Sequence, residues 1–295
     1  MPQQENEYLT TRELAELLRI KERKVYDLAA SGQIPCSRAM GKLLFPRQAV
    51  EAWLARESSG GAPAPSPRRP GVLLGSYEPL LEWALRESGC GLATLLDGSL
   101  DGLERFARGE GLATGLHVYD AERNDWNVAV VEERFAEAPV ALIEFAWRER
   151  GLIVAPGSEA SLADLGALKG RRVVPRQGGA GSQVLLQHLL AQAGLGAADI
   201  TWADTARTES DAALAVLEGK ADATLGLHAM AEQLRLGFVP LVRERYDLLV
   251  DRAAWFDPPM QRLLAFCHSP AFLAKAALFR GYDVSGLGRV HFNGA

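Results

Sequence analysis

One short stretch indicates the fold of this chain: Val72-Leu73-Leu74-Gly75-Ser76-Tyr77-Glu78-Pro79. The apolar run Val72–Leu74 is typical of a short buried strand, and Gly75 and Ser76 end it. Pro79 suits the first turn of a helix, because the N–H that proline lacks would have no partner there. The stretch therefore predicts a strand, a tight turn and a helix in direct succession.

The same succession recurs along the chain. Ala113–Val118, Arg172–Val174 and Ala221–Leu225 are further short apolar runs, and helical stretches such as Gly181–Ala193 lie between such runs. Val128–Val131 is predicted as one more strand. Strands that alternate with helices of about 10–15 residues favour βαβ units on a mostly parallel sheet, so this part of the chain is predicted to be α/β.

A proline-rich segment divides the chain. In Ser58–Pro70, prolines alternate with small residues, a composition typical of a semi-extended linker. The predicted domains are therefore 1–57 and 71–295. The first 60 residues carry nine Lys/Arg and eight Asp/Glu, whereas the whole chain has a net charge of −5. A near-neutral domain is joined to an acidic one, and the two are expected to have different partners.

Residues 8–56 have the order of elements of a small helical module. Thr10–Glu13 has capping-box spacing at the start of a first helix, and a second helix is predicted over Lys21–Ala30. The basic segment Gln33–Phe45 is predicted as a hairpin, and Pro46 begins a third helix. Two short helices, a basic hairpin and a third helix are the elements of a winged helix-turn-helix.

This module resembles the excisionase-type, MerR-like family of DNA-binding domains. The resemblance rests on Tyr8–Leu18, Lys21–Tyr26, Gly32–Pro35 and Phe45–Arg47. It implies that the second helix enters the major groove of double-stranded DNA, with Arg23 as the best candidate for a base contact. The other side chains that it places on DNA are Lys21, Lys24, Tyr26, Arg38 and Lys42.

The larger part of the chain resembles a two-lobed, type II periplasmic-binding-protein fold, of the kind that includes molybdate and tungstate binders. Related domains occur fused to helix-turn-helix modules in bacterial regulators. The residues that carry the resemblance are Gly75–Pro79, Asp97–Ser99, Gly115–His117, Arg176–Ser182, Gly219–Ala223, Phe238–Leu241 and Glu244–Asp247. It implies that lobe one comprises about 71–145 and 245–295 and lobe two about 150–238. The implied crossover strands lie in Val140–Phe145, Leu152–Ala155 and Phe238–Val250.

The resemblance also implies a ligand site between the lobes. In open α/β sheets, ligands bind beyond the carboxyl ends of strands, where helix N-termini present free N–H groups. Glycines let the backbone approach a ligand closely and serine hydroxyls donate hydrogen bonds, which together make an anion cradle without a metal. The candidate ligand-binding residues are Ser76, Ser99, His117, Arg176, Gly178, Gly181, Ser182 and His228.

These residues also have purely structural interpretations. Ser76 and Ser99 could cap helices, Gly178–Gly181 could form only a flexible turn, and Arg176 could pair with a structural carboxylate. The sequence does not decide between the two interpretations.

Other classes of protein are excluded by what the sequence lacks. It has no run of about 18 apolar residues and no signal peptide, so we expect a cytoplasmic protein without a membrane span. Its three cysteines form no CxxC pair, so neither a zinc ribbon nor a disulfide framework is indicated. Neither HExxH nor GxSxG is present, and no metal, cofactor or catalytic residue is predicted.

The sequence therefore predicts a transcriptional regulator, acting as a homo-oligomer such as a dimer, that senses a small anion. Molybdate or tungstate is the first candidate, because the implied site is rich in hydroxyl and N–H donors. Three alternatives stay open: a regulator that senses a small organic anion, an enzyme or cofactor-handling protein that uses the cleft, and a DNA-architectural protein whose large domain serves oligomerisation.

Overall fold

The computed structural model describes residues 7–39, 41–57 and 68–295, which fall into two compact units. The first unit ends at Arg68, and the second extends from Arg69 to Ala295. Most of the proline-rich segment predicted as a linker lies outside the described residues, as do the side chains of Arg38, Ala39 and residues 55–57.

The N-terminal unit is a winged helix-turn-helix, as predicted. Its elements are β1 (Tyr8–Thr10), α1 (Thr11–Leu18), α2 (Glu22–Ala30), β2 (Ser37–Ala39), β3 (Lys42–Pro46) and α3 (Arg47–Glu57). The strands are antiparallel in the order β1-β3-β2. Thr10 caps α1 by accepting the N–H of Glu13, whose carboxylate accepts the N–H of Thr10 at 2.7 Å. Leu14, Val25 and Phe45 are fully buried in the core of this unit.

The second unit alternates strands and helices along the chain. Its first part contains β4 (Val72–Gly75), α4 (Pro79–Glu87), β5 (Ala93–Leu95), α5 (Ser99–Ala107), β6 (Ala113–Leu116), β7 (Tyr119–Asp120), β8 (Asp125–Trp126), α6 (Val128–Phe135) and β9 (Val140–Val154). Its second part contains β10 (Arg172–Val174), α7 (Gly181–Gln192), β11 (Thr201–Trp202), α8 (Glu209–Leu217), β12 (Ala223–Leu227), α9 (His228–Gln233), β13 (Gly237–Asp251), α10 (Pro258–Cys267), α11 (Pro270–Ala277), β14 (Tyr282–Asp283) and β15 (Val290–Asn293).

Ten of the described strands form one sheet, in which the main path is β11-β10-β12-β9-β13-β6-β4-β5 and β14 and β15 also pair with β9. The strands β4, β5 and β6 are parallel to one another, and so are β10, β11 and β12. Between these groups, β9 and β13, each of 15 residues, pair antiparallel along their lengths. The chain enters the second group through β9 and returns through β13, so the two lobes share these strands.

Each lobe packs apolar side chains on both faces of its part of the sheet. Leu73 and Leu74 are neighbours on β4 and belong to different core clusters, as do Val173 and Val174 on β10. Successive side chains on a strand point to opposite faces, which explains this division. Full burial of one such side chain stabilises the fold by roughly 1.5–3 kcal/mol, so the helices on both faces are held mainly by apolar packing.

One prediction of secondary structure was wrong, and one was incomplete. Val128–Val131, predicted as a strand, begins α6, in which Val131 and Phe135 are buried at the helical spacing of four residues. The runs Val140–Phe145 and Leu152–Ala155, implied as crossover strands, fall at the two ends of one continuous crossover strand, β9. The intervening segment contains Arg148 and Arg150, which are charged yet fully buried, so hydropathy could not show that the strand continues through them.

Two searches concern residues 7–39, 41–57 and 68–295 only. No helix there combines the length and the apolar character needed to cross a bilayer. No group of three or more His, Cys, Asp or Glu side chains there is arranged to hold a metal ion.

Candidate ligand-binding and DNA-binding sites

A small cavity lies between the lobes, where loops from both lobes meet. Its volume is about 30 Å³. Lobe one contributes the loops after β4, β5 and β6, and lobe two contributes the β10–α7 loop and the start of α8. The lining residues are Ser76, Tyr77, Leu96, Asp97, Gly98, His117, Arg176, Ala180, Ser182, Arg207, Thr208 and Glu209.

Direct contacts between the lobes close the cleft around this cavity. The N–H of Leu100 donates to the carbonyl oxygen of Gly179 at 3.3 Å. Gly98 has φ +130°, and a Cβ there would lie 3.0 Å from the same carbonyl oxygen. A Cβ at Gly181 would lie 2.5 Å from the carbonyl oxygen of His117. The absence of side chains at Gly98 and Gly181 therefore allows the two lobes to approach this closely.

Three helices begin at the wall of the cavity. Gly98, Ala180 and Thr208 are the N-cap residues of α5, α7 and α8. A helix N-terminus carries unpaired N–H groups and about half a positive charge. The convergence of three such ends makes the cavity a favourable place for an anion.

Hydroxyl groups add hydrogen-bond donors. Ser182 is buried, lines the cavity and has no hydrogen-bond partner for its hydroxyl among the described residues. The Oγ atoms of Ser76 and Ser99 lie 2.7 Å apart, and Ser99 Oγ accepts the N–H of His117 at 3.2 Å. Ser182 is thus free to bind a ligand, whereas Ser76 and Ser99 also join the loops of lobe one.

Two arginines of lobe two face this region. Arg176 donates from Nε to the carbonyl of Ala206 at 3.1 Å and from Nη2 to the carbonyl of Arg207 at 2.7 Å. Burial lowers the pKa of the Arg176 guanidinium from its ordinary value. Arg207 lines the cavity with an exposed side chain that has no hydrogen bond or ion pair among the described residues. The sequence analysis missed Arg207. Its position just before the capping box of α8 indicates that it lies at a helix N-terminus, where anions bind.

A network of buried charges adjoins the cavity. Its centre is Glu244 on β13, whose Oε1 accepts a hydrogen bond from Arg148 Nη2. Arg150 Nε and His117 Nδ1 lie 2.7 Å and 3.0 Å from Glu244 Oε2. Burial alone would raise the pKa of Glu244, but the two guanidinium groups outweigh it and hold this pKa well below the ordinary value.

The network reaches into both lobes. In lobe one, Glu78 accepts hydrogen bonds from Tyr282 Oη and from the N–H of Leu81, each at 2.5 Å, and burial raises its pKa. In lobe two, Glu209 Oε1 lies 2.5 Å from Arg150 Nη1. Removing one partner of a buried ion pair costs about 3–5 kcal/mol, because the other charge is then left buried without a partner. The sequence analysis did not single out Arg148 or Arg150, and it named Glu244 only among the residues that carry the resemblance, because charged residues inside a strand are usually solvent-exposed.

The structure brings seven of the eight predicted ligand-binding residues to the cleft. Four of them line the cavity: Ser76, His117, Arg176 and Ser182. Ser99 at the start of α5, Gly181 at the start of α7 and Gly178 on the β10–α7 loop belong to the segments that meet there. His228 lies elsewhere, in a separate pocket of about 870 Å³. Its ring stacks on Phe238 at 4.1 Å, and its Nδ1 lies 2.7 Å from Glu149 Oε2. Glu149 lies between Arg148 and Arg150 on β9, so the alternation of side chains directs it to the opposite face of the strand.

In the N-terminal unit, helix α2 presents a basic and aromatic face. Val25 is buried, whereas Lys21, Arg23 and Lys24 are exposed and Tyr26 is 51% exposed. Tyr26 and Lys42 of β3 also line a groove of about 580 Å³ between the two elements. The predicted role of Arg38 concerns a side chain outside the described residues. The remaining predicted DNA-binding side chains are accessible to a partner.

Comparison with known families identifies both units. Residues 82–268, more than half of the chain, match the family described as PBP superfamily domain. This chain belongs to the PBP superfamily. Residues 8–58 match a second family, described as a helix-turn-helix domain. The two matches confirm the fusion that the sequence resembled, and a helix-turn-helix joined to a PBP superfamily domain indicates a ligand-binding, DNA-binding regulator.

The individual proteins that resemble this PBP superfamily protein have low sequence identity to it. The uncharacterized protein YvgK of Bacillus subtilis (strain 168) is 26% identical over 302 residues, which cover 95% of this chain and 96% of YvgK. An ancestral arginine-binding protein bound to arginine is 14% identical, with a TM-score of 0.47 over 71% of this chain and 97% of the other. The ligand-binding core of GluR0 with L-glutamate is 11% identical, with a TM-score of 0.48 over 74% of this chain and 100% of the other.

Proposed function

We propose that this chain is a transcriptional regulator whose affinity for DNA changes when a compact anion binds in the cleft. The observation that carries the proposal is the convergence of three helix N-termini on one cavity, together with the free hydroxyl of Ser182 and the guanidinium groups of Arg176 and Arg207. Helix N-termini and guanidinium groups both stabilise negative charge.

The size of the cavity supports a small ligand. A volume of about 30 Å³ favours a compact ligand over a bulky one. Molybdate and tungstate, the first candidates from the sequence, are compact tetrahedral anions, and their negative charge suits the helix N-termini and the guanidinium groups. A small organic anion is the second candidate, because the carboxylate of Glu209 in the cavity wall favours a ligand that also carries a hydrogen-bond donor.

The proposed mechanism is a shift between an open and a closed cleft. An anion that contacts loops of both lobes binds the closed arrangement more tightly, and the difference in affinity is the free energy available for regulation. In a dimer, this closure would change how two helix-turn-helix units are placed on an inverted repeat. The proposal includes no catalytic step, and it places the protein in the cytoplasm with the DNA.

The proposal is tested with the full chain in two measurements. Isothermal titration calorimetry is done with molybdate, tungstate, sulfate, phosphate and a panel of small carboxylates. DNA sequences selected by the full chain from a random pool then serve as probes in gel-shift titrations with and without each anion that binds. We expect at least one anion to bind and to change the DNA affinity. Binding of none, or binding without any effect on DNA affinity, would contradict the proposal.

A further inference from the structure

His117 uses only one of its two ring nitrogens in contacts within the protein. Nδ1 lies 3.0 Å from Glu244 Oε2, whereas Nε2 has no hydrogen-bond partner among the described residues. His117 lines the cavity, and 6% of its side chain stays exposed. Unlike the unpartnered Nε2 of His188, which is fully buried, Nε2 of His117 keeps accessible surface. It is therefore the ring nitrogen that a ligand in the cavity can contact.

Glu244 determines which nitrogen carries the proton of the neutral ring. Arg148 and Arg150 lie against this carboxylate and hold its pKa well below the ordinary value, so it is ionised and can only accept hydrogen bonds. Nδ1 is then the donor, and the neutral ring has its lone pair on Nε2. That lone pair repels the acceptor oxygens of an anion. A proton on Nε2 converts the same atom into a donor and gives the ring a positive charge.

The charged and titratable groups around the ring come from two strands and from the rest of the cavity wall. Those that face the ring lie on β9 and β13: Arg148, Arg150, Glu244 and Tyr246. The helices packed against it, α5 and α7, contribute the uncharged residues Ser99 and Gly181. The other charged residues of the cavity lining are Asp97, Arg176, Arg207 and Glu209.

The buried groups next to the ring have charges that are already balanced. Arg148 and Arg150 both lie against Glu244, and Arg150 is also paired with Glu209. Burial raises the pKa of Tyr246, so this side chain stays neutral. Histidine is the side chain whose charge changes most readily near neutral pH. His117 is therefore the group in this wall that can gain a positive charge in response to an anion.

We infer that His117 takes up a proton from the solvent when an anion binds in the cleft, and that Nε2 then donates a hydrogen bond to the ligand. Without a ligand, burial lowers the pKa of His117 below its ordinary value of 6.5, so the ring is neutral near pH 7. A negative charge next to the ring favours the charged form and raises this pKa. Glu244 stabilises the imidazolium from the side of Nδ1. The inference rests on the proposed function and adds a proton to what the site binds.

Proton uptake makes the affinity for the anion depend on pH. Between the pKa of His117 in the free chain and its higher pKa in the complex, the complex binds more protons, so the affinity rises as the pH falls. The gain is at most about tenfold for each pH unit. Since the pKa in the free chain lies below 6.5, this range begins below pH 6.5 and extends toward neutral pH.

Isothermal titration calorimetry on the full chain measures both effects. Sulfate, molybdate, tungstate and acetate are titrated at pH 6.5 and pH 8, where their own charges are constant, in two amine buffers that differ in heat of ionisation. The difference in binding heat between the buffers gives the number of protons taken up. For an anion that binds, we expect uptake of part of one proton at pH 6.5 and an affinity at least about threefold higher than at pH 8.

Two histidine variants assign the proton. His117→Gln does not titrate, so proton uptake and the pH dependence should both disappear, whatever happens to the affinity itself. His228→Gln is the matched control, because His228 Nδ1 lies 2.7 Å from Glu149 Oε2 but the ring lies in a separate pocket. This control should follow the wild type. A merely structural role of His117 would change the affinity equally at both pH values and leave proton uptake intact.

Two further measurements cover the remaining cases. For phosphate, which titrates itself, the difference in proton uptake between the wild type and His117→Gln is the measure. If His117→Gln does not fold, nitrogen-15 magnetic resonance of the five histidine rings replaces it. Addition of the anion to the wild type should convert one ring from the neutral to the charged form, and the same ring should respond in His228→Gln.

The outcomes separate this inference from the function on which it rests. Anion binding without proton uptake, or proton uptake that persists in His117→Gln, overturns the inference and leaves the anion-sensing function intact. Absence of heat with every anion overturns both.

Discussion

The side-chain amide of Gln177, in lobe two, donates a 3.1 Å hydrogen bond to the main-chain carbonyl of Asp97, in lobe one. The bond joins the β10–α7 loop to the loop before α5, at the wall of the cavity. Since the two loops belong to different lobes, the bond exists only when the cleft is closed. The closed cleft is therefore held in part by the protein itself, and a ligand adds its contacts to those already present.

The first prediction concerns this bond. Gln177→Ala removes it and should weaken the binding of the anion that the wild type takes by about 0.5–1.5 kcal/mol, the usual net contribution of one hydrogen bond. Calorimetry measures the affinity, and small-angle scattering measures the opening of the ligand-free chain. Gln187→Ala, at an exposed position of α7, is the control. Equal affinities for the two variants would show that the bond does not contribute to closure.

The second prediction concerns Gly98. In Gly98→Ala, the new Cβ would lie 3.0 Å from the carbonyl oxygen of Gly179, at φ +130°, so the Gly179 backbone of lobe two must shift by a few tenths of an ångström. We expect ligand affinity to fall at least tenfold, or about 1.4 kcal/mol. Gly109→Ala is the control, because Gly109 has φ +77° and open space around its Cβ position. Both variants introduce backbone strain, and only Gly98→Ala also brings a side chain against the other lobe. If Gly109→Ala lost the same ligand affinity, backbone strain alone would explain the result.

The third prediction separates the serines of the cleft. Ser182→Ala and Ser76→Ala should each weaken anion binding by more than about 1 kcal/mol, because hydrogen bonds to charged groups contribute about 1.5–3 kcal/mol. Ser76→Ala should also lower the melting temperature, since its hydroxyl bonds to Ser99, whereas Ser182→Ala should not. Ser161→Ala, at an exposed serine, is the control. Wild-type affinity in both cleft variants would exclude the proposed site.

The fourth prediction is a pH dependence set by His117. Burial lowers the pKa of His117 below its ordinary value of 6.5, although Glu244 opposes this effect. His117 therefore binds a proton more readily in the unfolded chain than in the folded chain. As the pH falls below about 6.5, this difference lowers the free energy of unfolding. The loss is at most about 1.4 kcal/mol for each pH unit.

Urea unfolding between pH 7.5 and pH 5 measures this dependence. His117→Gln should have a shallower dependence than the wild type, because its side chain does not titrate. His268→Gln, at an exposed histidine, should follow the wild type. Parallel curves for wild type and His117→Gln would contradict the assignment.

The fifth prediction compares two basic residues of α2. Arg23→Ala should weaken binding to the selected DNA by about 1–3 kcal/mol and reduce discrimination between sequences, as expected for a base contact. Lys24→Ala should weaken binding to all sequences alike and lower the slope of affinity against salt, as expected for a phosphate contact. Gel shifts over a range of salt concentrations measure both effects. Loss of discrimination in Lys24→Ala but not in Arg23→Ala would reverse the two assignments.

Local sequence signals predicted most of the elements that carry the fold. Gly75, Ser76 and Pro79 mark the end of one element and the start of the next, and such signals depend only on local backbone chemistry. The apolar pattern gave a wrong prediction at Val128–Val131. The preference of β-branched residues for strands is weak, and packing against the core overrides it in favour of the helix.

The candidate site was only partly predictable, for a different reason. Arg176 and Ser182 lie at the two ends of a glycine-rich segment between a strand and a helix, which is a recognisable pattern for anion binding. Arg150 and Glu209 are 59 positions apart in sequence. Nothing in the sequence around either residue indicates that the two charges pair in the interior. Long-range pairing of buried charges leaves no local pattern, so the network could be found only from the structure.

The order of the strands has a consequence for how this protein can diverge. The whole of lobe two lies between β9 and β13, so Arg176, Ser182, Arg207 and Glu209 are encoded by one uninterrupted stretch of the gene. Replacement of that stretch by recombination at its two ends would exchange half of the cavity wall and retain the helix-turn-helix unit and lobe one. Such an exchange would combine a new ligand specificity with the existing DNA-binding specificity.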